Sequence, residues 1–176
     1  DPSSTPFPST TLFRSLDRAR TGQGRQKTMA GLTFEELRRY AVCVAVPAGH
    51  RLAGARKVTL KQLLNERLIT YSRADYHDYH VMIAQLFAPL KRQPEIAEEH
   101  DSATSLIASV GAGRGVAFVS ETFTSFAGAQ VKIIPLMPAP PPIAVGVAYR
   151  KSKLSAAAKN FIVAAKQGAS MLSLTP

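Results

Sequence analysis

The feature that most constrains the fold is an alternation of short apolar runs with amphipathic segments between residues 40 and 166. Apolar runs rich in β-branched residues predict buried strands, and apolar residues spaced i, i+3, i+4 predict helices. Strands that alternate with helices indicate an α/β fold with a largely parallel sheet. The predicted strands are 40–46, 67–72, 94–99, 115–120, 131–137 and 143–149, and the predicted helices are 58–66, 78–90, a helix after residue 102, and 155–166.

Hydroxyl and carboxylate side chains mark the starts of three predicted helices. Thr59 is positioned to cap the first, Asp101 or Ser102 the third, and Ser155 the last. Such side chains accept hydrogen bonds from the backbone amides of the first turn. In the last helix the apolar spacing predicts a buried face formed by Phe161, Ala164 and Ala165.

Three glycines stand close together in the stretch GAGRG, residues 111–115. A phosphate-binding glycine loop follows a strand and precedes a helix, because the helix N-terminus supplies the amides that bind the anion. Here the predicted order is helix first and strand second. We therefore interpret the stretch as a turn, with Gly111 or Gly113 in the left-handed position that ends a helix.

Residues 1–30 differ from the rest of the chain in composition and in apolar pattern. Ser, Thr and Pro are frequent there, and apolar periodicity is absent. Such a composition cannot bury enough surface to offset chain entropy. We interpret 1–30 as a disordered tail, or, up to about residue 16, as translated sequencing-adaptor sequence. Residues 169–176 are predicted to be a C-terminal tail.

Composition narrows the classes of function. The sequence has no apolar run of the roughly 18 residues that a membrane span needs and no apolar leader. The single cysteine, Cys43, fits a reducing compartment, so we expect a cytoplasmic protein. The net charge of +10 permits a nucleic-acid partner, but Lys and Arg are scattered and are not interleaved with aromatic residues. A basic, solvated surface is favoured over direct nucleic-acid binding by this segment.

A candidate ligand site lies where two predicted strands end. Ser72, Arg73 and Tyr76 follow the strand 67–72, and Ser102 and Thr104 follow the strand 94–99. In open α/β sheets, ligands bind at the carboxyl ends of the strands. Hydroxyls, a guanidinium and free helix amides together suit a carboxylate. Each residue taken alone is better explained by capping or by loop solvation, and their convergence on one sheet edge is what supports a binding site.

Candidates for catalysis are poor. Cys43 lies inside an apolar strand, and His77 with His80 has metal-like spacing but no second ligand pair. The charged run 98–101 alternates between the two faces of a strand, so it favours a strand end and a helix cap. The nucleophile motif G-x-S-x-G does not occur. We expect no enzyme activity, no cofactor and no metal site.

An ordered set of segments resembles the effector-binding domain of LysR-type transcriptional regulators. The set comprises GLTFEELRRYAVCVAVPAGHRLA (31–53), a Val-Thr-Leu helix start, LITYSR, EEHDSATSLIASVGAGRGVAFVS, and a late strand that ends in Tyr149-Arg150-Lys151. Arg51 stands where the family usually has Pro. The resemblance covers about residues 31–168, and no single motif in it is diagnostic.

The resemblance implies a periplasmic-binding-protein-like fold of type 2, with two α/β lobes and an inducer in the cleft between them. It assigns 47–140 to a nearly complete second lobe, 41–46 and 143–149 to crossover strands, and 150–168 to a partial first lobe. The implied effector-binding residues are Ser72, Arg73, Tyr76, Tyr79, Ser102 and Thr104, where Tyr79 is either a cleft wall or helix packing.

The resemblance also implies a small-molecule inducer, of which an organic acid is the type expected in this family, and self-association to a dimer or tetramer. DNA binding is expected only through a helix-turn-helix domain that this chain lacks, which makes the chain a C-terminal fragment. The alternative is a solute-binding protein of a transport system with the same fold.

Overall fold

The computed structural model describes residues 27–29, 32–150 and 154–171, which form eight strands, four α-helices and two 3₁₀ turns, Ala88–Leu90 and Glu121–Ser125. The strands are β1 Lys27–Met29, β2 Leu32–Tyr40, β3 Val42–Pro47, β4 Arg67–Tyr71, β5 Glu95–His100, β6 Ala117–Ser120, β7 Val131–Pro135 and β8 Ile143–Tyr149. The helices are α1 Leu60–Leu63, α2 His77–Phe87, α3 Ala103–Gly111 and α4 Ala156–Met171.

The strands form two sheets. The first has the order β1-β2-β8, and both of its pairings are antiparallel. In the second, β5 pairs with β4 in parallel, and β3 lies antiparallel between β6 and β7. A parallel bridge from Leu68 to Val116 joins β4 to the start of β6, with Ile69 donating to the Val116 carbonyl at 2.8 Å. The second sheet therefore runs β5-β4-β6-β3-β7.

The expectation of a largely parallel sheet is wrong. β3 runs against both of its neighbours, and the first sheet contains antiparallel pairings alone among the described strands. Apolar periodicity reports which face of a strand is buried and carries no information on its direction. The direction of β3 is set by its pairing with β6 and β7, which are distant in sequence, so no local pattern shows it.

The core of the second sheet is built around β3. Val44, Ala45 and Val46 have no exposed surface, which matches the continuous apolar run in the sequence. On the α2 side, the ring of Phe87 meets the ring of Phe118 edge-on with centroids 5.9 Å apart. Helices α2 and α3 both contact β4, so the strand that carries the candidate site is fixed by packing.

The chain passes between the two sheets twice within the described residues. Tyr40 is the last residue of β2 and Val42 the first of β3, so Ala41 alone makes the first passage. The second passage is the segment 137–142, which leads to Ile143 at the start of β8. The strands expected as crossovers therefore each lie in one sheet, β3 in the second and β8 in the first.

Strand β2 is absent from the sequence-based prediction. Its side chains include Glu35, Glu36, Arg38 and Arg39, and the register with β8 shifts between Glu36 and Arg38. A bulge of this kind interrupts the two-residue alternation on which strand prediction depends. β2 also pairs with Lys27–Met29, so the last part of the segment interpreted as a tail is a strand, while residues 1–26 lie outside the described residues.

Helix α4 has the predicted N-cap, but the face that it buries differs from the predicted one. The amide of Ala158 donates to the Ser155 hydroxyl at 3.2 Å, which confirms the cap. Ile162 is only 8% exposed whereas Phe161 is 64% exposed, so the predicted buried face is wrong. An ion pair between Lys166 and Glu35 of β2 fixes the rotation of the helix against the sheet. α4 also extends to Met171, into the predicted C-terminal tail, of which 172–176 lie outside the described residues.

The other helix ends follow the sequence. Thr59 caps α1 in a capping box with Gln62, and Ser102, rather than Asp101, caps α3. Gly113 follows α3 with φ +79°, and its amide donates to the Val110 carbonyl at 2.9 Å. This geometry confirms that the glycine-rich stretch is a helix C-terminus.

Candidate functional site

The carboxyl ends of three neighbouring strands meet at one edge of the second sheet. β5 ends at His100, β4 at Tyr71 and β6 at Ser120, and these strands are adjacent in that order. The segments that follow them carry five of the six predicted site residues, 72–76 and 101–104. The structure thus brings both predicted segments to the same edge.

The loop after β4 is held against the end of β5. Ser72 donates its amide to the His100 carbonyl at 2.7 Å, and the amide of Arg73 donates to Oε2 of Glu99 at 2.9 Å. The side chain of Arg73 is exposed, and within the described residues its guanidinium makes no hydrogen bond or ion pair. The backbone of Arg73 is therefore fixed while its five donors face solvent.

Tyr76 connects the loop to the start of α3. Its hydroxyl donates to the Asp101 carbonyl at 3.1 Å, and its amide donates to the Ser72 carbonyl at 2.9 Å. Its ring stacks on that of Tyr71 with centroids 4.6 Å apart and planes at 27°. Tyr76 consequently connects the two predicted site segments, 72–76 and 101–104, through hydrogen bonds.

The N-terminus of α3 is only partly satisfied by its cap. The hydroxyl of Ser102 accepts from the Ser105 amide at 3.2 Å and lies 2.9 Å from the Ser105 hydroxyl. In the described part of the chain, the amides of Ala103 and Thr104 have no hydrogen-bond acceptor, as is usual for a first turn. Thr104 is exposed beside them. This helix end can receive an anion.

Tyr79 lies beneath the edge and not at its surface. It is 8% exposed, its hydroxyl donates to the Phe118 carbonyl at 2.9 Å, and its ring meets Tyr71 edge-on at 5.1 Å. Burial raises the pKa of its hydroxyl well above the ordinary value for tyrosine. The hydroxyl is thus used in packing, while one face of the ring lines a pocket.

That pocket is apolar and lies where the two sheets meet. Its enclosed volume of about 20 Å³ is room for roughly one water molecule. A whole organic ligand needs several hundred cubic ångströms, so the pocket can receive only the end of a ligand bound along the edge. Its lining is Val42, Tyr71, Tyr79, Met82, Phe118, Val119, Ser120, Phe123 and Ile143.

Acidic groups border the same edge. Glu99 approaches the Arg73 amide, and Asp101 accepts from Tyr76 through its backbone while its side chain is exposed. An anionic ligand would be attracted by Arg73 and by the α3 amides and repelled by these two carboxylates. The edge therefore favours a single, locally placed negative charge over a polyanion.

The rival chemical candidates are accounted for by packing. Cys43 is buried in β3, and burial raises the pKa of its thiol, which opposes a thiolate role. His80 is buried with Nε2 2.6 Å from the Tyr71 carbonyl oxygen, whereas His77 is exposed. No group of three or more His, Cys, Asp or Glu side chains within the described residues could hold a metal ion.

Two residues of the charged run 98–101, Glu98 and His100, form a cluster with residues of other elements, as the alternation along a strand allows. Glu98 accepts from the Ser109 hydroxyl, lies 3.2 Å from Nε2 of His100 and pairs with Arg114 at 3.3 Å. Glu99 points away from it, toward the Arg73 amide. The Glu98 cluster joins β5 to α3 and thereby supports the position of the α3 N-terminus.

Sequence reasoning identified Tyr79 and missed the other residues that line the pocket. Tyr71 and Ser120 end strands at the ligand edge, and the same rule that selected Ser72 and Ser102 could have selected them. Val42 and Ile143 meet only because the two passages between the sheets lie side by side, which no local pattern shows. The pocket is a property of the tertiary fold.

A mixed five-stranded sheet joined by two passages to a second sheet, with a ligand edge at the junction, is the architecture of two-lobed small-molecule-binding domains. The model of the LysR substrate binding domain matches residues 16–170, and the chain belongs to that family. The match begins inside the segment interpreted as a tail. Among the described helices, none combines the length and apolar character that crossing a bilayer requires.

Known proteins resemble the chain in sequence and in fold. It is 29% identical over 140 residues to the HTH-type transcriptional regulator TtuA of Agrobacterium vitis, covering 80% of this chain and 43% of that protein. The chain thus spans less than half the length of this curated relative.

Two solved structures share its fold. The effector binding domain of QuiR in complex with shikimate has a TM-score of 0.70 at 22% identity, covering 80% of this chain and 66% of that one. The BenM effector binding domain with its effector benzoate has a TM-score of 0.71 at 20% identity, covering 86% and 69%. At these identities the likeness concerns the fold alone.

Proposed function

We propose that the chain is the effector-binding part of a LysR-type transcriptional regulator and that it binds a small carboxylate at the edge of its second sheet. The observation that carries the proposal is the junction of the Ser72–Arg73 loop with the start of α3. It is held by the Ser72–His100 and Tyr76–Asp101 hydrogen bonds. These bonds join the loop that carries the exposed Arg73 side chain to the segment that begins α3, and a guanidinium together with free helix amides suits a carboxylate.

The chemistry of the edge indicates where the charged part and the apolar part of the ligand bind. The carboxylate lies between Arg73 and the first turn of α3, where Ser102 and Thr104 supply hydroxyls. An apolar part of the ligand lies toward the pocket, on the side of Tyr71 and Tyr79. QuiR and BenM, which share the fold, were solved with shikimate and benzoate, and both of these molecules carry a carboxylate on a compact ring.

The regulatory mechanism is a population shift. An effector that contacts both lobes stabilises one interlobe arrangement, and the shift is limited by its difference in affinity for the two arrangements. The interlobe arrangement alters the geometry of a dimer or tetramer. That geometry in turn sets the spacing of DNA-binding segments outside these residues. The protein acts by binding and not by catalysis, in the cytoplasm.

The curated relative supports a regulator over a transport protein, since it is described as a transcriptional regulator. The solute-binding alternative uses the same fold and the same edge, so ligand binding alone does not separate the two. A change in gene expression in response to the ligand distinguishes the regulator from the transport protein.

Calorimetry with a series of small carboxylates tests the proposal. Arg73→Ala should weaken binding of the tightest ligand by about 1.5–3 kcal/mol, the typical contribution of a charged hydrogen bond. Arg92→Ala removes an exposed arginine from the segment before β5 and is the matched control. Equal affinity for Arg73→Ala and the unsubstituted protein would exclude Arg73 from the site.

A further inference from the structure

Ala41, the single residue that links β2 to β3, forms two hydrogen bonds with Glu121. One involves the Glu121 amide and the other the Glu121 side chain. Glu121 donates its amide to the Ala41 carbonyl at 2.9 Å, and its Oε1 accepts from the Ala41 amide at 3.0 Å. Ala41 and Glu121 are 80 residues apart in sequence and both are exposed. This reciprocal pair joins the passage between the sheets to the carboxyl end of β6.

The pair stands where the chain changes its strand partner. Tyr40 is opposite Ile143 in the first sheet, whereas Val42 is opposite Ser120 in the second. Ala41 lies between these two pairings and belongs to neither ladder. The Glu121 carboxylate supplies the acceptor that a neighbouring strand would otherwise provide, so the Ala41 amide is not left to solvent.

The second passage between the sheets, the segment 137–142, is restrained in a different way from Ala41. The segment 138–142 contains four prolines, at 138, 140, 141 and 142, which have no amide hydrogen to donate. The amide of Met137 donates to the Val58 carbonyl at 2.7 Å and ties the start of this segment to the second sheet. The proline segment is restrained by its own stiff backbone, whereas the Ala41 passage is restrained by its contact with Glu121.

The pocket described above touches both passages. Val42 follows Ala41, Ser120 precedes Glu121, and Ile143 begins β8 after the proline segment, and all three line the pocket. A ligand end that enters it therefore meets the residues next to the pair.

We propose that Glu121 is a positioning residue that fixes Ala41 to the second sheet and so sets the arrangement of the two sheets around the effector pocket. The inference rests on the proposed function for its link to an effector. The hinge geometry itself is testable without any ligand, so failure of one claim can be told from failure of the other.

Amide hydrogen exchange by NMR on the full chain tests the contact. Glu121→Ala should speed exchange at the Ala41 amide by about tenfold, the equivalent of one hydrogen bond. Glu121→Gln keeps an acceptor oxygen and should keep the protection. Amides inside β3, which is paired on both sides, should not change in either variant. Unchanged exchange at Ala41 in Glu121→Ala, or equal loss in Glu121→Gln, would overturn the proposal.

A distance measurement tests the consequence. Spin labels at Ala148→Cys on β8 and Lys132→Cys on β7, both exposed positions, report on the two sheets in a Cys43→Ala background. Glu121→Ala should broaden the distance distribution, Glu121→Gln should restore its width, and Glu95→Ala, at an exposed glutamate of β5, should leave it unchanged. Equal widths for Glu121→Ala and Glu95→Ala would show that the pair does not set the arrangement.

Discussion

The hydroxyl of Tyr79 donates to the carbonyl oxygen of Phe118 at 2.9 Å, joining α2 to β6 through the core of the second sheet. Of the six predicted site residues, Tyr79 is the one that is buried. Its ring still lines the pocket beside Tyr71 and Ser120. The two readings that the sequence left open, cleft wall and helix packing, are therefore compatible in one side chain.

Replacing Tyr79 with Phe should cost about 1 kcal/mol of unfolding free energy, since the buried Phe118 carbonyl loses a hydrogen bond while the ring keeps its packing. Urea denaturation followed by near-ultraviolet dichroism measures the change. Tyr149→Phe is the comparison, because its hydroxyl lies 3.4 Å from Oε2 of Glu35 and is only half-buried. A loss for Tyr79→Phe no larger than that for Tyr149→Phe would show that the Tyr79–Phe118 bond contributes little.

Glu98 should make stability depend on acid pH. The Ser109 hydroxyl, and after it His100 and Arg114, lower the pKa of the Glu98 carboxyl against an opposing effect of burial. Because the folded pKa lies below the unfolded value of about 4.3, the contribution is present at neutral pH and is lost as pH falls below that value. Glu98→Gln should flatten the fall in unfolding free energy between about pH 5 and pH 3.

The exposed Glu95 is the control for this experiment. Glu95→Gln removes a carboxylate from the same strand whose nearest cation, Arg67, is 4.0 Å away. Its pH profile should follow that of the unsubstituted protein. Parallel profiles for Glu98→Gln and the unsubstituted protein would mean that the Glu98 cluster does not stabilise the junction of β5 and α3.

Gly115 should tolerate no side chain. A Cβ atom there would lie 2.4 Å from the carbonyl oxygen of Arg67, the group that accepts from the Val116 amide and connects β4 to β6. Gly115→Ala should destabilise the protein by about 1–3 kcal/mol, since backbone must move to make room. Gly54→Ala adds the same methyl group where nothing lies within 4 Å and should change stability by less than about 0.5 kcal/mol. Equal stability of the two variants in urea would refute the close approach of β4 and β6.

Glu99→Gln should strengthen binding of an anionic effector. The substitution removes a negative charge from the ligand edge and keeps an oxygen that can accept from the Arg73 amide. We expect a gain of about two- to fivefold in affinity, typical for one exposed charge, and a smaller gain at high salt. Calorimetry at two salt concentrations measures it. Unchanged affinity of the same anion for Glu99→Gln at both salt concentrations would place the ligand away from this edge.

Much of the local structure could be predicted from short-range sequence patterns. The caps at Thr59, Ser102 and Ser155, the glycine turn, and the edge where β4 and β5 end all follow from short-range chemistry, and each is present. The bulged strand β2, the direction of β3 and the rotation of α4 could not be predicted, because each depends on a partner distant in sequence. The pocket depends on two such contacts at once.

The assignment of the ligand residues themselves stays a prediction. The segments that carry Ser72, Arg73, Tyr76, Ser102 and Thr104 lie at one edge of the second sheet. Arg73 and Thr104 face solvent, whereas Ser72 and Ser102 are half-buried and already serve loop and cap. Arg73 therefore has the largest share of the expected binding energy, and Tyr76 acts through the position of its neighbours.

The most direct test of the account is an NMR titration of the nitrogen-15-labelled chain with benzoate and, separately, with benzyl alcohol, which keeps the ring and lacks the charge. The account predicts that benzoate shifts the amides of 72–76 and 101–104 and that benzyl alcohol leaves the 101–104 amides unchanged. If neither molecule moves these amides, other small carboxylates are titrated against the same reporters. Shifts from carboxylates that avoid both segments, or equal shifts at 101–104 from the uncharged analogue, would contradict a carboxylate site at this edge.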